Sequence, residues 1–141
     1  MTASLPPMTR RLLDASTYAV LATVNGDGSP QSSVVWVCRD GDELLMSTIR
    51  GRRKTANMAR DPRVSLCLYD PADPYQYVEV RGTVDMVEEG GNELIDELSR
   101  AYMGKPWKHR PAEVRLVLRL TPSKVVERVS VQSPSYVGKD D

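Results

Sequence analysis

Seven separate stretches of this 141-residue chain read as strands, several of them alternating apolar and polar residues with a period of two, and nothing else in the sequence narrows the possible folds as much. Residues 18–24 (YAVLATV), 31–39 (QSSVVWVCR) and 43–48 (ELLMST) are rich in strand formers. The turns between them, Asn25-Gly26-Asp27-Gly28 and Asp40-Gly41-Asp42, hold residues that tolerate positive φ, so the three segments predict an antiparallel meander. Residues 63–69 (RVSLCLY) alternate again, residues 71–74 read as a loop bounded by prolines, and residues 75–87 (YQYVEVRGTVDMV) predict one long strand bent or bulged at Gly82. Residues 113–120 and 124–131 complete the set, divided at Thr121-Pro122. Long strands bent at glycine suit small barrels, and the whole predicts a mainly β, antiparallel barrel with helices at its edges.

Three helices are expected beside the strands. Thr9 precedes Leu12, Leu13 and Ala15 and reads as the cap of a first helix docked on a barrel mouth. Residues 51–60 (GRRKTANMAR) contain helix formers but few apolar positions, so they predict a short surface helix, stopped by Asp61-Pro62. Between residues 89 and 103, Leu94, Ile95, Leu98, Ala101 and Tyr102 fall on one helical face. The length suits a single domain over residues 1–132, with an N-terminal helix region at 1–16 and a loosely tethered tail at 133–141.

Charge and cysteine usage exclude several classes of function. Nineteen Lys and Arg balance nineteen Asp and Glu, so no overall field would concentrate the chain on nucleic acid or an acidic membrane. No apolar run reaches the roughly 18 residues of a membrane span, and the N-terminus lacks the apolar core of a secretory signal. Cys38 and Cys67 sit in alternating runs without metal-ligand spacing and predict buried free thiols, as in a cytoplasmic protein. His109 is the sole histidine, so neither a triad nor a metal site can be built around it. Trp107 and Tyr102 are expected to anchor the third helix, and pairs such as Glu88-Glu89 and Asp96-Glu97 to be solvated.

The segment Ser47-Thr48-Ile49-Arg50-Gly51-Arg52-Arg53-Lys54-Thr55 is the one that suits a ligand. Hydroxyls end a strand, a glycine turns, and cations open a helix whose first N–H groups are unpaired, which is the chemistry of a phosphate grip. Short basic runs are also common on protein surfaces, and the residues by themselves leave a solvated basic turn open as the alternative.

Over nearly its whole length the chain resembles the pyridoxamine 5′-phosphate oxidase-like superfamily of flavin and deazaflavin proteins. GDGSPQSSVVWVCRDGDELLMST, RRKTANMARDPRVSL, YVEVRGTVDMV, AYMGKPW and HRPAEVRLVLRLTPSKV carry the likeness. The short length and the Lys54-Thr55-Ala56-Asn57-Met58 pattern before Asp61-Pro62-Arg63 resemble the actinobacterial reductases that use coenzyme F420. The resemblance implies a six- to seven-stranded split β-barrel of the FMN-binding type, a homodimer with cofactor between the protomers. It implies a phosphate held by Ser47, Thr48, Arg53, Lys54 and Thr55, with Arg50 or Arg52 as further contacts. Ser33, Val34, Val35 and Trp36 would line the ring, and Tyr77 would reach it from a partner strand. Implied function is hydride transfer between reduced F420 and a small unsaturated substrate, with an FMN-dependent oxidoreductase or a flavin carrier without turnover as alternatives. Since the cofactor carries the chemistry, no catalytic residue is assigned. Ser33 stands where the biosynthetic oxidases place Arg, and their C-terminal substrate-binding extension has no counterpart, so vitamin B6 oxidation is not expected.

Overall fold

The computed structural model describes residues 2–129. Its elements are α1 (Pro7–Asp14), β1 (Ala19–Val24), β2 (Pro30–Val35), β3 (Cys38–Asp40), β4 (Glu43–Ile49), α2 (Arg53–Arg60), β5 (Arg63–Asp70), β6 (Asp73–Val87), α3 (Gly91–Met103) and β7 (Arg115–Arg128). The strands form one antiparallel sheet in the order β2-β1-β5-β6-β7-β4-β3. The fold is thus mainly β, as expected. The proposed tail at 133–141 lies outside the described residues.

The two ends of that order, β2 and β3, are successive pieces of one chain segment separated only by Trp36 and Val37. One piece pairs with β1 and the other with β4, so the sheet has to close on itself. Single-strand continuity over residues 31–39 is where the sequence reading differs from the fold. A strand that changes partners leaves backbone groups unpaired at the change, and buried ones must find other partners. Val37 is buried, its N–H donates to the Tyr102 hydroxyl oxygen at 3.0 Å, and that hydroxyl lies 2.8 Å from the carbonyls of both Val37 and Thr17. Tyr102 therefore does more than anchor its helix.

A second difference runs the other way. Residues 115–128 form one strand, because Pro122 falls at a register shift opposite Gly82, where a missing N–H breaks no ladder. A Cβ on Gly82 would lie 2.1 Å from the Thr121 carbonyl oxygen, so only glycine admits this approach. One strand divided and two joined leave the count at seven. The loop expected at 71–74 contracts to a turn, with Asp73 already in β6.

Inward residues of the barrel, including Leu21, Leu44, Met46, Leu66, Leu68, Val78, Val80, Leu118 and Leu120, make the main core. Helix α1 closes one mouth with Leu12 and Leu13. It starts at Pro7, with proline in the first turn and no side-chain cap. Thr9 lies within the helix, and its N–H and hydroxyl both donate to Glu127 Oε2, so it pins α1 to β7 instead of capping it. On the outer face of β4 and β7, α3 packs Leu94 and Leu98 against Val117, with Trp36, Cys38 and Tyr102 alongside. Cys38 is half-buried and its thiol is pushed up to about 11, mainly by burial. Cys67 is exposed on the outer face of β5, not buried as expected from its apolar run.

Tyr102→Phe keeps the ring but strips the partner from Val37. The variant is expected to lose about 1–3 kcal/mol in urea unfolding with an unchanged denaturant slope, since it leaves buried polar groups unpaired. A loss below about 0.5 kcal/mol would assign the closure to packing alone.

Candidate functional site

Helix α2 has too few apolar residues to dock by burial alone, and polar contacts set its position. Thr55 Oγ1 donates to the Ile49 carbonyl at 2.8 Å and lies 3.0 Å from Thr48 Oγ1. With its one hydrogen committed to Ile49, Thr55 must accept from Thr48, which ties the first turn of α2 to the end of β4. Two residues later, Asn57 Nδ2 donates to Thr23 Oγ1 and Asn25 Oδ1 at 3.0 and 2.9 Å, fixing the helix to β1. Met58 completes the attachment by entering the core. The helix that the sequence placed on the surface thus has one buried face, made largely of polar groups. Gly51 makes the turn before it at φ 99°, a value open to glycine.

This docking carries Lys54 inward until only 9% of it is exposed. Lys54 Nζ lies 3.4 Å from Ser33 Oγ on β2, at the edge of a cleft of about 170 Å³. Val34, Val35 and Trp36 form one wall, Ser47, Arg52 and Arg115 bring polar groups, and Ile95, Leu98 and Trp107 close it from the side of α3. Trp36 stacks on Tyr102 with centroids 5.5 Å apart and planes 15° apart, and meets Trp107 edge-on. The residue pair that closes the barrel therefore also shapes the cleft.

Electrostatically the cleft is unbalanced. Among the described residues, neither Lys54 nor Arg52 has an ion-pair partner. Burial lowers the pKa of Lys54, and the nearby Arg52 and Arg115 lower it further. Arg115 is 8% exposed, its Nη1 lies 3.4 Å from Ser47 Oγ, and Glu113 is 3.5 Å from its Nη2. An anion in the cleft would relieve the mutual repulsion of these cations, and the donor set of ammonium, guanidinium and hydroxyl groups fits a phosphate.

Of the residues singled out from sequence, Val34, Val35, Trp36, Ser47, Arg52 and Lys54 come together around the cleft, with Ser33 touching Lys54. Thr48 and Thr55 are turned to each other, so their hydroxyl hydrogens are spent within the protein. Arg50 is exposed and paired with Glu88 at 3.3 Å, and Arg53 is exposed. Tyr77 lies on β6 opposite Tyr69, apart from the residues lining the cleft. Sequence reading missed Arg115 as a site residue. It is one of two arginines in residues 113–120 (EVRLVLRL), both at positions one would expect to be solvated.

Residues 5–128 match the pyridoxamine 5′-phosphate oxidase family. The chain belongs to that family. Among solved structures, an F420 reductase is 32% identical to this family member, with 86% of this chain and 98% of that one covered and a TM-score of 0.78. The conserved hypothetical protein Rv2991 from Mycobacterium tuberculosis aligns at 22% identity over 90% of this chain and 86% of its own, with a TM-score of 0.72. A pyridoxamine 5′-phosphate oxidase-related, FMN-binding protein of Nostoc punctiforme aligns at 19% identity, covering 86% and 83%, with a TM-score of 0.66. The latter two share the split-barrel fold. Among the described residues of this family member, no helix is long and apolar enough to cross a membrane, and no group of three or more His, Cys, Asp or Glu side chains is placed to hold a metal.

A buried cation without a counterion costs folding free energy, so Lys54→Met is expected to stabilise the ligand-free protein by about 0.5–2 kcal/mol at neutral pH. The sign follows from the depressed pKa. The cost is complete below that pKa and fades as pH rises through it toward the ordinary lysine value of 10.5, because the unfolded chain there binds the extra proton. Thermal unfolding of both proteins against pH should therefore show a gap that narrows on the alkaline side. A destabilised Lys54→Met at neutral pH would contradict the electrostatic account.

Proposed function

We propose that this protein is an oxidoreductase that seats the phosphate of coenzyme F420 at Lys54, Arg52 and Ser47 and acts on a small unsaturated substrate. The observation that carries the proposal is the convergence of Lys54, Arg52 and Arg115 on one cleft, in which the first two have no carboxylate partner among the described residues. F420 is preferred to FMN because the 32% identity to an F420 reductase extends over 98% of that chain. Val34, Val35 and Trp36 supply an apolar wall for a planar ring, and Ser33 orients the Lys54 ammonium. When bound, a reduced deazaflavin supplies hydride. The chain contributes placement and a water-poor wall, which is why the site needs no triad or paired carboxylates.

The reading includes a homodimer. A cleft of about 170 Å³ is small beside the roughly 300–1,000 Å³ of ligand pockets, so one protomer seats the phosphate and only part of the ring. Val34, 66% exposed, borders the cleft and also begins a row with Val20 and Cys67 across β2, β1 and β5, flanked by exposed Tyr18 and Tyr69. Covering this face with a second copy would deepen the cleft and bring Tyr77 toward it across the interface.

Titration of purified protein with F420 and FMN, followed by absorbance, tests the cofactor. Lys54→Ala is expected to weaken binding by about 1–3 kcal/mol through loss of a charge-assisted contact. Unchanged affinity would remove Lys54 from the site, tighter binding of FMN would reverse the order of cofactors, and binding without turnover of any enone or quinone would make the protein a carrier. For the assembly, sedimentation should give a dimer that Val34→Glu dissociates, with weakened cofactor binding in parallel. A monomeric wild type would refute the shared site.

A further inference from the structure

Two buried side-chain nitrogens have no hydrogen-bond partner among the described residues, Trp107 Nε1 and Arg115 Nε. Both are donors, and donors left unpaired in the interior are uncommon enough to need a cause. They belong to neighbouring side chains, the Arg115 guanidinium carbon lying 4.8 Å from the Trp107 ring centroid. Both residues line the Lys54 cleft, and both also line a second cleft of about 190 Å³ with His109, Arg110, Glu113 and Asn92. They therefore stand where the two clefts adjoin.

We propose that Trp107 and Arg115 form a second anion site, whose N–H groups donate to a carboxylate carried beyond the phosphate of the bound ligand. The proposal rests on the Lys54 cofactor seat only for the identity of the molecule that bears this carboxylate. Charge separates the two seats. Among the described residues no carboxylate lines the cleft at Lys54 and Arg52, which suits a phosphate. At the other end Glu113 lies 3.5 Å from both Arg110 and Arg115, leaving one net positive charge from these three, which suits a monoanion. A planar guanidinium and an indole N–H can both donate to carboxylate oxygens, and the apolar ring beneath Arg115 limits its access to water. FMN ends at its phosphate and cannot supply the second anion, whereas F420 continues into carboxylates.

The test follows the Trp107 indole N–H by ¹⁵N NMR during titration with glutarate, F420 and FMN, with Trp36, on the ring wall, as the internal comparison for glutarate alone. Affinities of F420 and FMN are measured in parallel for the wild type, Trp107→Phe and Arg115→Lys. Trp107→Phe keeps a ring under Arg115 and removes only the indole donor, so it remains informative if Arg115→Lys fails to fold. The Trp107 resonance is expected to move with glutarate and with F420. Trp107→Phe should weaken F420 by about fivefold, the size of one hydrogen bond, while FMN changes by less than about twofold. A Trp107 resonance that ignores both glutarate and F420 overturns the site. Equal weakening of F420 and FMN also overturns it, by assigning the donors to the phosphate. Should neither cofactor bind while glutarate still moves Trp107, the cofactor reading falls and the carboxylate site stands.

Discussion

The barrel depends on what happens to the backbone at Trp36 and Val37. A chain that leaves β1 as a partner and takes up β4 two residues later joins the two ends of the sheet by covalent continuity. This closure leaves polar groups of Val37 in the interior, and the Tyr102 hydroxyl receives them. The same tyrosine ring stacks on Trp36, whose other surroundings are the wall of the cleft. Architecture and site thus share a seam, and α3 serves both by presenting Tyr102.

Net charge says little about such a protein. The chain is neutral overall, yet its fold draws Lys54, Arg52 and Arg115 to one cleft whose described lining includes no carboxylate. Uncompensated positive charge in a low-dielectric cleft is unfavourable without a ligand and favourable with one. The polar clamps at Thr48–Thr55 and Asn57–Thr23 are what hold Lys54 in that position against the repulsion.

Alternation made the strands legible in the sequence, because a barrel with one buried face imposes a period of two. The places where the reading differed are places where tertiary contacts override local pattern. Residues 31–39 form one unbroken run of strand formers, and nothing local says that their partner changes at Trp36; that depends on Tyr102, 65 residues away. Pro122 is a local stop signal that the register shift opposite Gly82 accommodates. Within the site, Lys54, Ser47 and Trp36 stood out through a local motif and family pattern. Arg115 did not, because a single arginine in a strand has no local signature of burial. The threonines of the motif were conspicuous for a related reason: hydroxyls beside a basic run suit a phosphate and a helix clamp equally, and only geometry separates the two.

Because one short segment carries the ladders to β1 and to β4, the two ends of the sheet cannot fray independently. Peeling β2 away pulls on β3 through a two-residue link, and the strain arrives first at Trp36. Any molecule that rests on Trp36 therefore acts as a brace on the closure itself, and its binding free energy is shared with the folding equilibrium. In this barrel, occupancy of the cleft and resistance to local unfolding at the seam are two readings of a single mechanical joint.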